Sequence, residues 1–343
     1  MKLKKTMLVL SAIVLSLVFI SKCHSFEGEK AVLTVDGVER SYIVYQGQAR
    51  DKKIAAPLLV VLHGGGGNGA RMQKLCGFDA IAAREGFVTA YPDALKNNWN
   101  DERGDFKSYA HQNRIDDVKF LSQMIDSISS SHNIDKNRVY LAGVSNGGMM
   151  SHLFAMRKGD KIAAMAAVIT SIPHTLKNEK PVRALPVLMM NGDKDKLVKW
   201  EGGVVANNRG SVISARDSVK FWAENNGCFI RQFYNLGRFG ASVKFWAENN
   251  GCAKTPEVIK LPDKAPGDGV TVEKEIYKSA PENKAGVVFY ILHGGGHSWP
   301  GKKFGPLYKW IITRDGEGGN ACMDINAADE IWSFFKDKKL NAK

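Results

Sequence analysis

A serine flanked by glycines, placed between an apolar run and a helix-like run, restricts the fold of this chain more than any other feature. Residues 143–148 read GVSNGG, directly after RVYLA and directly before MMSHLF. A strand that turns sharply into a helix has a strained backbone at its apex, and a Cβ beside the apex would clash, so small residues are needed there. The pattern therefore predicts a strand, a tight turn and a helix, with the hydroxyl of Ser145 exposed at the turn.

An acidic loop and a histidine-containing loop follow further along the chain, each after an apolar run. The run LPVLMM leads into NGDKD, which contains Asp195, and the run VVFYIL leads into HGGGHSWPG, which contains His297. A serine needs a base and an orienting carboxylate to act as a nucleophile. Since open α/β sheets place their sites at the carboxyl ends of strands, we expect Ser145, Asp195 and His297 to form a triad in that chain order.

A further strand, PLLVVL, ends in the glycine-rich loop HGGGGNG. Glycines let the main chain approach a substrate oxygen, so we expect the N–H groups of Gly65 and Asn146 to form an oxyanion hole. A phosphate-binding loop is disfavoured because the Lys-Ser/Thr pair that follows such loops is missing. A zinc site at His293 and His297 is also disfavoured, because three glycines between them oppose a helix and no glutamate accompanies them. We therefore expect no metal and no cofactor.

These segments together resemble a known group of enzymes. The chain contains, in order, LHGGGGNG, WND, RVYLAGVSNGGMMSHLFA, NGDKDKLV and LHGGGHSWPG. The set resembles the secreted α/β-hydrolase esterases grouped as poly(3-hydroxybutyrate) depolymerase-like and feruloyl esterase-like, and GGGHSWPG is its most specific piece. The resemblance implies an α/β-hydrolase fold with a mostly parallel sheet and helices on both faces. Hydrophobic strands without alternation indicate the same architecture.

The resemblance also implies ester hydrolysis through an acyl-enzyme. In the family the acid ends an HGxxDxxV motif, which maps onto residues 191–198 and implies that Asp195 orients the histidine. Asn191 stands in place of the usual histidine, and Asp193 is a competing carboxylate. Trp99 and Trp299 lie beside the motif loops; we expect them to bind substrate by walling an acyl pocket, with a purely packing role as the alternative.

Three substrate classes fit this resemblance: feruloyl esters of plant polysaccharide, acetyl groups on xylan, and polyhydroxyalkanoates such as polyhydroxybutyrate or its oligomers. We favour the first two, because no polymer-binding region or long linker follows the catalytic region. A prolyl-oligopeptidase-like peptidase is disfavoured because there is no room for a propeller. The alternative of another class is a catalytically inactive secreted glycan-binding protein.

The N-terminus reads as a secretory signal peptide over residues 1–25, in which lysines precede the apolar stretch 7–20 and small residues stand at alternate positions around Cys23 and Ser25. We therefore expect an extracellular or periplasmic protein with one catalytic domain over residues 26–343 and no stable membrane anchor. Removing the leader lowers the formal net charge from +13 by four lysines, to +9. The remaining surplus is scattered, which argues against a nucleic-acid partner.

An eleven-residue segment, SVKFWAENNGC, occurs twice, at 218–228 and again at 242–252, an offset of 24 residues. Each copy predicts a helix ended by Asn-Gly, and we expect the fold to have a place for only one. The repeat also affects the cysteines. Cys76, Cys228, Cys252 and Cys322 would allow three full disulfide pairings after export, but the duplication suggests that one of Cys228 and Cys252 is unpaired.

Overall fold

The computed structural model describes residues 28–47, 53–228, 256–279, 285–302 and 319–340. The predicted signal peptide and the second copy of the duplicated segment lie outside these ranges. Within them, no helix is long and apolar enough to cross a membrane.

Within the described residues, ten strands form one sheet and two short strands form a separate pair. The strands are β1 (Glu29–Val35), β2 (Val38–Gln46), β3 (Ala56–Leu62), β4 (Val88–Pro92), β5 (Ile134–Val144), β6 (Ala164–Val168), β7 (Val187–Gly192), β8 (Gly203–Val204), β9 (Ser211–Val212), β10 (Glu257–Lys260), β11 (Thr271–Tyr277) and β12 (Val287–His293). The α-helices in the described residues are α1 (Gly69–Cys76), α2 (Phe78–Glu85), α3 (Tyr109–Gln112), α4 (Asp117–Ser131), α5 (Asn146–Lys158), α6 (Ala215–Asn225) and α7 (Ala327–Phe335).

The large sheet runs in the order β1-β2-β4-β3-β5-β6-β7-β12-β11-β10. The six strands from β4 to β12 pair in parallel, and the outer strands at both edges pair antiparallel. The predicted strands before each motif loop are confirmed as β3, β5, β7 and β12. The sequence does not predict β6, β10 or β11. The outer two, β10 and β11, carry charged residues and are only partly buried, so they lack a continuous apolar run.

Helices cover both faces of this sheet, as predicted. On β5, for example, Leu141 packs into the layer beneath α4, α5 and α6, while Tyr140 packs into the layer beneath α1, α2 and α7. Each fully buried side chain of this size contributes roughly 1.5–3 kcal/mol. The result is the α/β-hydrolase architecture, in which both layers hold the carboxyl ends of the parallel strands at one edge.

The first copy of the duplicated segment forms most of α6 and packs into the core. Ser214 caps the helix by accepting a hydrogen bond from Asp217 N, and Gly227 follows its end with φ 71°. Trp222 is fully buried and its Nε1 donates to His152 Nδ1 at 3.0 Å. Burial lowers the pKa of His152 to about 3. This copy therefore forms a helix that packs into the core.

Three of the four candidate disulfide cysteines lie in the described residues. Cys76 and Cys322 are buried free thiols, and Cys228 is also buried. A full pairing of the four cysteines would need both Cys76 and Cys322 in disulfides, so this structure supports none of the three full pairings. Burial raises the pKa of Cys76 to about 12 and that of Cys322 to about 11, which keeps both protonated and unreactive. Cys252 lies outside the described residues.

Candidate active site

Ser145 lies at the turn between β5 and α5 with φ 54° and ψ −120°, a conformation that L-residues rarely adopt. Its N–H donates to Val168 O at 3.0 Å, which holds the turn against β6. The flanking glycines are required by close backbone approach. A Cβ on Gly143 would lie 2.2 Å from Gly147 O, and a Cβ on Gly147 would lie 2.4 Å from His63 O. The strained turn exposes the hydroxyl of Ser145 at the sheet edge.

His297 and Asp195 meet Ser145 from two other strand ends. His297 Nε2 lies 3.0 Å from Ser145 Oγ, and His297 Nδ1 lies 2.7 Å from Asp195 Oδ2. The second carboxylate oxygen, Asp195 Oδ1, accepts the N–H groups of Leu197 and Val198 at 2.8 and 2.9 Å. Histidine and acid are nearly buried, whereas Ser145 is half-buried. The arrangement places the histidine where it can take a proton from the hydroxyl.

The competing acid, Asp193, faces a different histidine. Asp193 Oδ1 accepts Gly294 N at 2.8 Å, and Oδ2 lies 3.2 Å from Nδ1 of the exposed His293. Asn191, which stands where the family usually has histidine, donates through Nδ2 to Thr170 O at 2.7 Å. Asp193 and Asn191 thus form hydrogen bonds to the backbone of neighbouring loops. Asp195 is the carboxylate in contact with His297.

The glycine loop lies against the serine turn. A Cβ on Gly64 would lie 3.5 Å from Ser145 Cβ, and a Cβ on Gly65 would lie 3.7 Å from Asn146 Cβ. Asn146 is the first residue of α5, where a helix leaves its backbone N–H groups unpaired. Within the described part of the chain, neither Gly65 N nor Asn146 N has a hydrogen-bond acceptor. Two backbone donors are therefore free beside the hydroxyl.

His63, at the start of that loop, is a buried structural residue. Its Nε2 accepts Ala94 N at 3.1 Å, so Nδ1 must carry the proton and donate to Gly64 O at 2.7 Å. Burial lowers the pKa of His63 despite opposing effects from the Gly64 carbonyl and Asp93. The neutral ring fixes the entry to the glycine loop.

The structure contradicts the expectation that Trp99 and Trp299 wall an acyl pocket, because both side chains are buried. Trp99 is 0% exposed and Trp299 is 1% exposed, so neither indole offers surface to a substrate. Trp99 Nε1 donates to His63 O at 2.9 Å, and Trp299 packs edge-on against Phe78 in the core. Adjacency to a motif in sequence did not reveal which way each side chain points.

A buried polar cluster behind the serine turn was missed by the sequence analysis. It contains Asp101, Arg103, Asp105 and His111, with side chains 0–5% exposed. The only available signal was the run WNDERGD, where acids alternate around an arginine next to Trp99. Among the described residues, no group of three or more His, Cys, Asp or Glu side chains is arranged to hold a metal ion.

Comparisons with known proteins agree with this architecture. NocK of Nocardia uniformis subsp. tsuyamanensis, which carries a provisional esterase name, is 28% identical over 72% of this chain and 67% of its own length. Feruloyl esterase B of Piromyces equi is 30% identical over 51% of this chain and 33% of its own length. The chain thus spans about two thirds of the first relative and one third of the second.

Among solved structures, an acetyl xylan esterase from Aspergillus awamori matches with a TM-score of 0.51 and 12% identity, covering 90% of this chain and 99% of that one. This likeness shows a shared fold. Residues 40–194, which include the glycine loop, the serine turn and Asp193, match the family described as Esterase PHB depolymerase. Over those residues the chain is similar to that family, and the match ends before Asp195 and His297.

Proposed function

We propose that this protein is a secreted serine carboxylic-ester hydrolase that works through an acyl-enzyme on Ser145. The observation that carries the proposal is the unbroken contact from Ser145 Oγ to His297 Nε2, at 3.0 Å, and from His297 Nδ1 to Asp195, at 2.7 Å. A catalytically inactive glycan-binding protein would have no need of this alignment on a strained turn.

The proton positions follow from the hydrogen bonds. Asp195 already accepts two backbone N–H groups, so we assign it as the acceptor and His297 Nδ1 as the donor of their shared bond. His297 Nε2 then presents a lone pair to the hydroxyl of Ser145. As Oγ attacks an ester carbonyl, its proton passes to Nε2, and the N–H groups of Gly65 and Asn146 stabilise the negative oxygen.

The same histidine then completes both halves of the reaction. His297 returns the proton to the departing alcohol, which leaves the acyl group on Ser145. A water molecule next gives its proton to His297 and attacks the acyl carbonyl. Collapse of this second intermediate releases the acid and restores the hydroxyl.

The proposed substrates are feruloyl or acetyl esters of plant polysaccharide. The relative named feruloyl esterase B supports this class. A second candidate, hydrolysis of 3-hydroxybutyrate oligomers, is favoured by the family description that residues 40–194 match. Secretion rests on the leader-like pattern of residues 1–25.

The test compares residues 26–343 with the variant Ser145→Ala on p-nitrophenyl acetate, methyl ferulate, acetylated xylan and a 3-hydroxybutyrate oligomer. Wild type should turn over at least one ester, and the variant should lose roughly 10⁴-fold or more in kcat. A fluorophosphonate probe should label wild type and not the variant. Turnover that persists in the folded variant would remove Ser145 from the mechanism, and no turnover by folded wild type would favour the glycan-binding alternative.

A further inference from the structure

We propose that Asp101 is a positioning residue for the oxyanion hole: it locks the side chain of Asn146 and, through the segment 97–101, the glycine loop on the opposite side of the site. This inference rests on the proposed ester hydrolysis. It assigns a task to the buried cluster that the triad and the two backbone donors do not use.

The side chain of Asn146 is held at three points. Its Oδ1 accepts Trp99 N at 2.9 Å, and its Nδ2 donates to Trp99 O at 3.1 Å and to Asp101 Oδ2 at 2.6 Å. Because Trp99 N–H can only donate, the orientation of the amide is determined. The residue whose backbone N–H faces the site therefore cannot rotate independently of residues 99–101.

Asp101 supplies the charged contact of this lock. The carboxylate also accepts Arg103 N and His111 Nε2, both at 3.1 Å, and pairs with the Arg103 guanidinium. Burial would raise the pKa of Asp101, but Arg103 and His111 hold it below the ordinary value. Asp101 is consequently an acceptor only, and its short bond to the Asn146 amide is charge-assisted.

The same segment fastens the glycine loop. Trp99 Nε1 donates to His63 O at 2.9 Å, Gly66 N donates to Asn97 O at 2.8 Å, and Asn97 Nδ2 donates to Gly67 O at 2.7 Å. Residues 97–101 thus connect the turn that carries Asn146 to the loop that carries Gly65. The spacing between the two backbone donors is fixed by this bridge.

An oxyanion develops only as the ester reacts, so loosened donors should reduce kcat more than they alter KM. Removing a whole oxyanion donor costs roughly 10²–10³-fold in kcat. Displacing a donor should reduce kcat less than removing it does. We therefore expect Asp101→Asn to lower kcat by about 10- to 100-fold, with KM within about threefold of wild type.

Asp105→Asn is the matched control. Asp105 is buried and pairs with the same arginine, with its Oδ2 2.9 Å from Arg103 Nη2, and no contact joins it to Asn146 among the described residues. The experiment measures kcat, KM, the melting temperature and inhibition by an alkylboronic acid, whose tetrahedral adduct with Ser145 places an oxygen in the oxyanion hole. Asp101→Asn should weaken boronate inhibition in proportion to its loss of kcat, whereas Asp105→Asn should leave both within about threefold.

Equal losses of kcat in the two folded variants would overturn the inference, because a general effect on the buried cluster would then explain both. Unchanged kcat in folded Asp101→Asn would also overturn it while leaving the proposed function intact. Should Asp101→Asn fail to fold, Asn146→Ala, which keeps the backbone N–H, must show the same loss of kcat with little change in KM. If wild type shows no ester hydrolysis that is lost in Ser145→Ala, the proposed function and this inference are both refuted.

Discussion

Alanine in place of Gly147 should damage the proposed oxyanion hole through the backbone alone. Gly147 is the second residue of α5, and a Cβ there would lie 2.4 Å from His63 O and 2.6 Å from Leu62 O. Both obstacles are main-chain oxygens at the end of β3, which cannot rotate away. Since ordinary contact begins at 3.4 Å, the start of α5 must move by roughly 1 Å relative to the glycine loop.

That displacement separates the two backbone donors, because Asn146 moves with α5 and Gly65 stays with the loop after β3. A misplacement of about 1 Å can cost about 100-fold in rate, so we expect Gly147→Ala to lose roughly that factor in kcat/KM on p-nitrophenyl acetate. Overpacking should also destabilise the protein by about 1–3 kcal/mol. Helix propensity alone predicts the opposite, a gain of up to about 1 kcal/mol for alanine.

Gly267→Ala is the control, because a Cβ at that position meets nothing within 4 Å and φ lies outside the left-handed region. Steady-state kinetics and thermal unfolding should give this variant a kcat/KM and a melting temperature close to those of wild type. A folded Gly147→Ala protein that matches Gly267→Ala in activity and melting temperature would refute the reasoning from close backbone approach.

Two further predictions concern titratable side chains. Asp195→Asn should lower kcat by about 10⁴-fold, whereas Asp193→Asn, which loses only bonds to a neighbouring turn, should retain activity and lose about 1 kcal/mol of stability; the reverse ranking in an esterase assay would identify Asp193 as the acid. His152 has a pKa of about 3 when folded, against 6.5 as its ordinary value, so the unfolded chain binds more protons below pH 6.5 and acid destabilises the fold. Between pH 7 and pH 5, the free energy of unfolding of wild type should fall by about 2 kcal/mol more than that of His152→Asn. The asparagine oxygen in this variant can still accept the hydrogen bond from Trp222. A difference in urea-unfolding free energy between these two proteins that does not change with pH would contradict this expectation.

Much of the fold could be predicted because its signals are local. The apolar runs before the motif loops and the Asn-Gly at the end of α6 depend only on neighbours within a few residues. The outer strands β10 and β11 could not be predicted in this way, since β11 depends on pairing with β12 and β10 on pairing with β11.

In the candidate site, too, the features that depend on neighbouring residues were predictable and those that depend on tertiary packing were not. The amino-acid sequence by itself determined where the strained serine turn lies and the chain order of serine, acid and histidine, because backbone sterics at GVSNGG involve only adjacent residues. The tertiary structure decided which acid faces His297, which sits 102 residues from Asp195 and 152 from Ser145. It also decided that Trp99 points inward and that Asp101 lies beneath Asn146. Side-chain direction and partnership across such separations depend on how the strands and helices pack, and no short-range pattern encodes them.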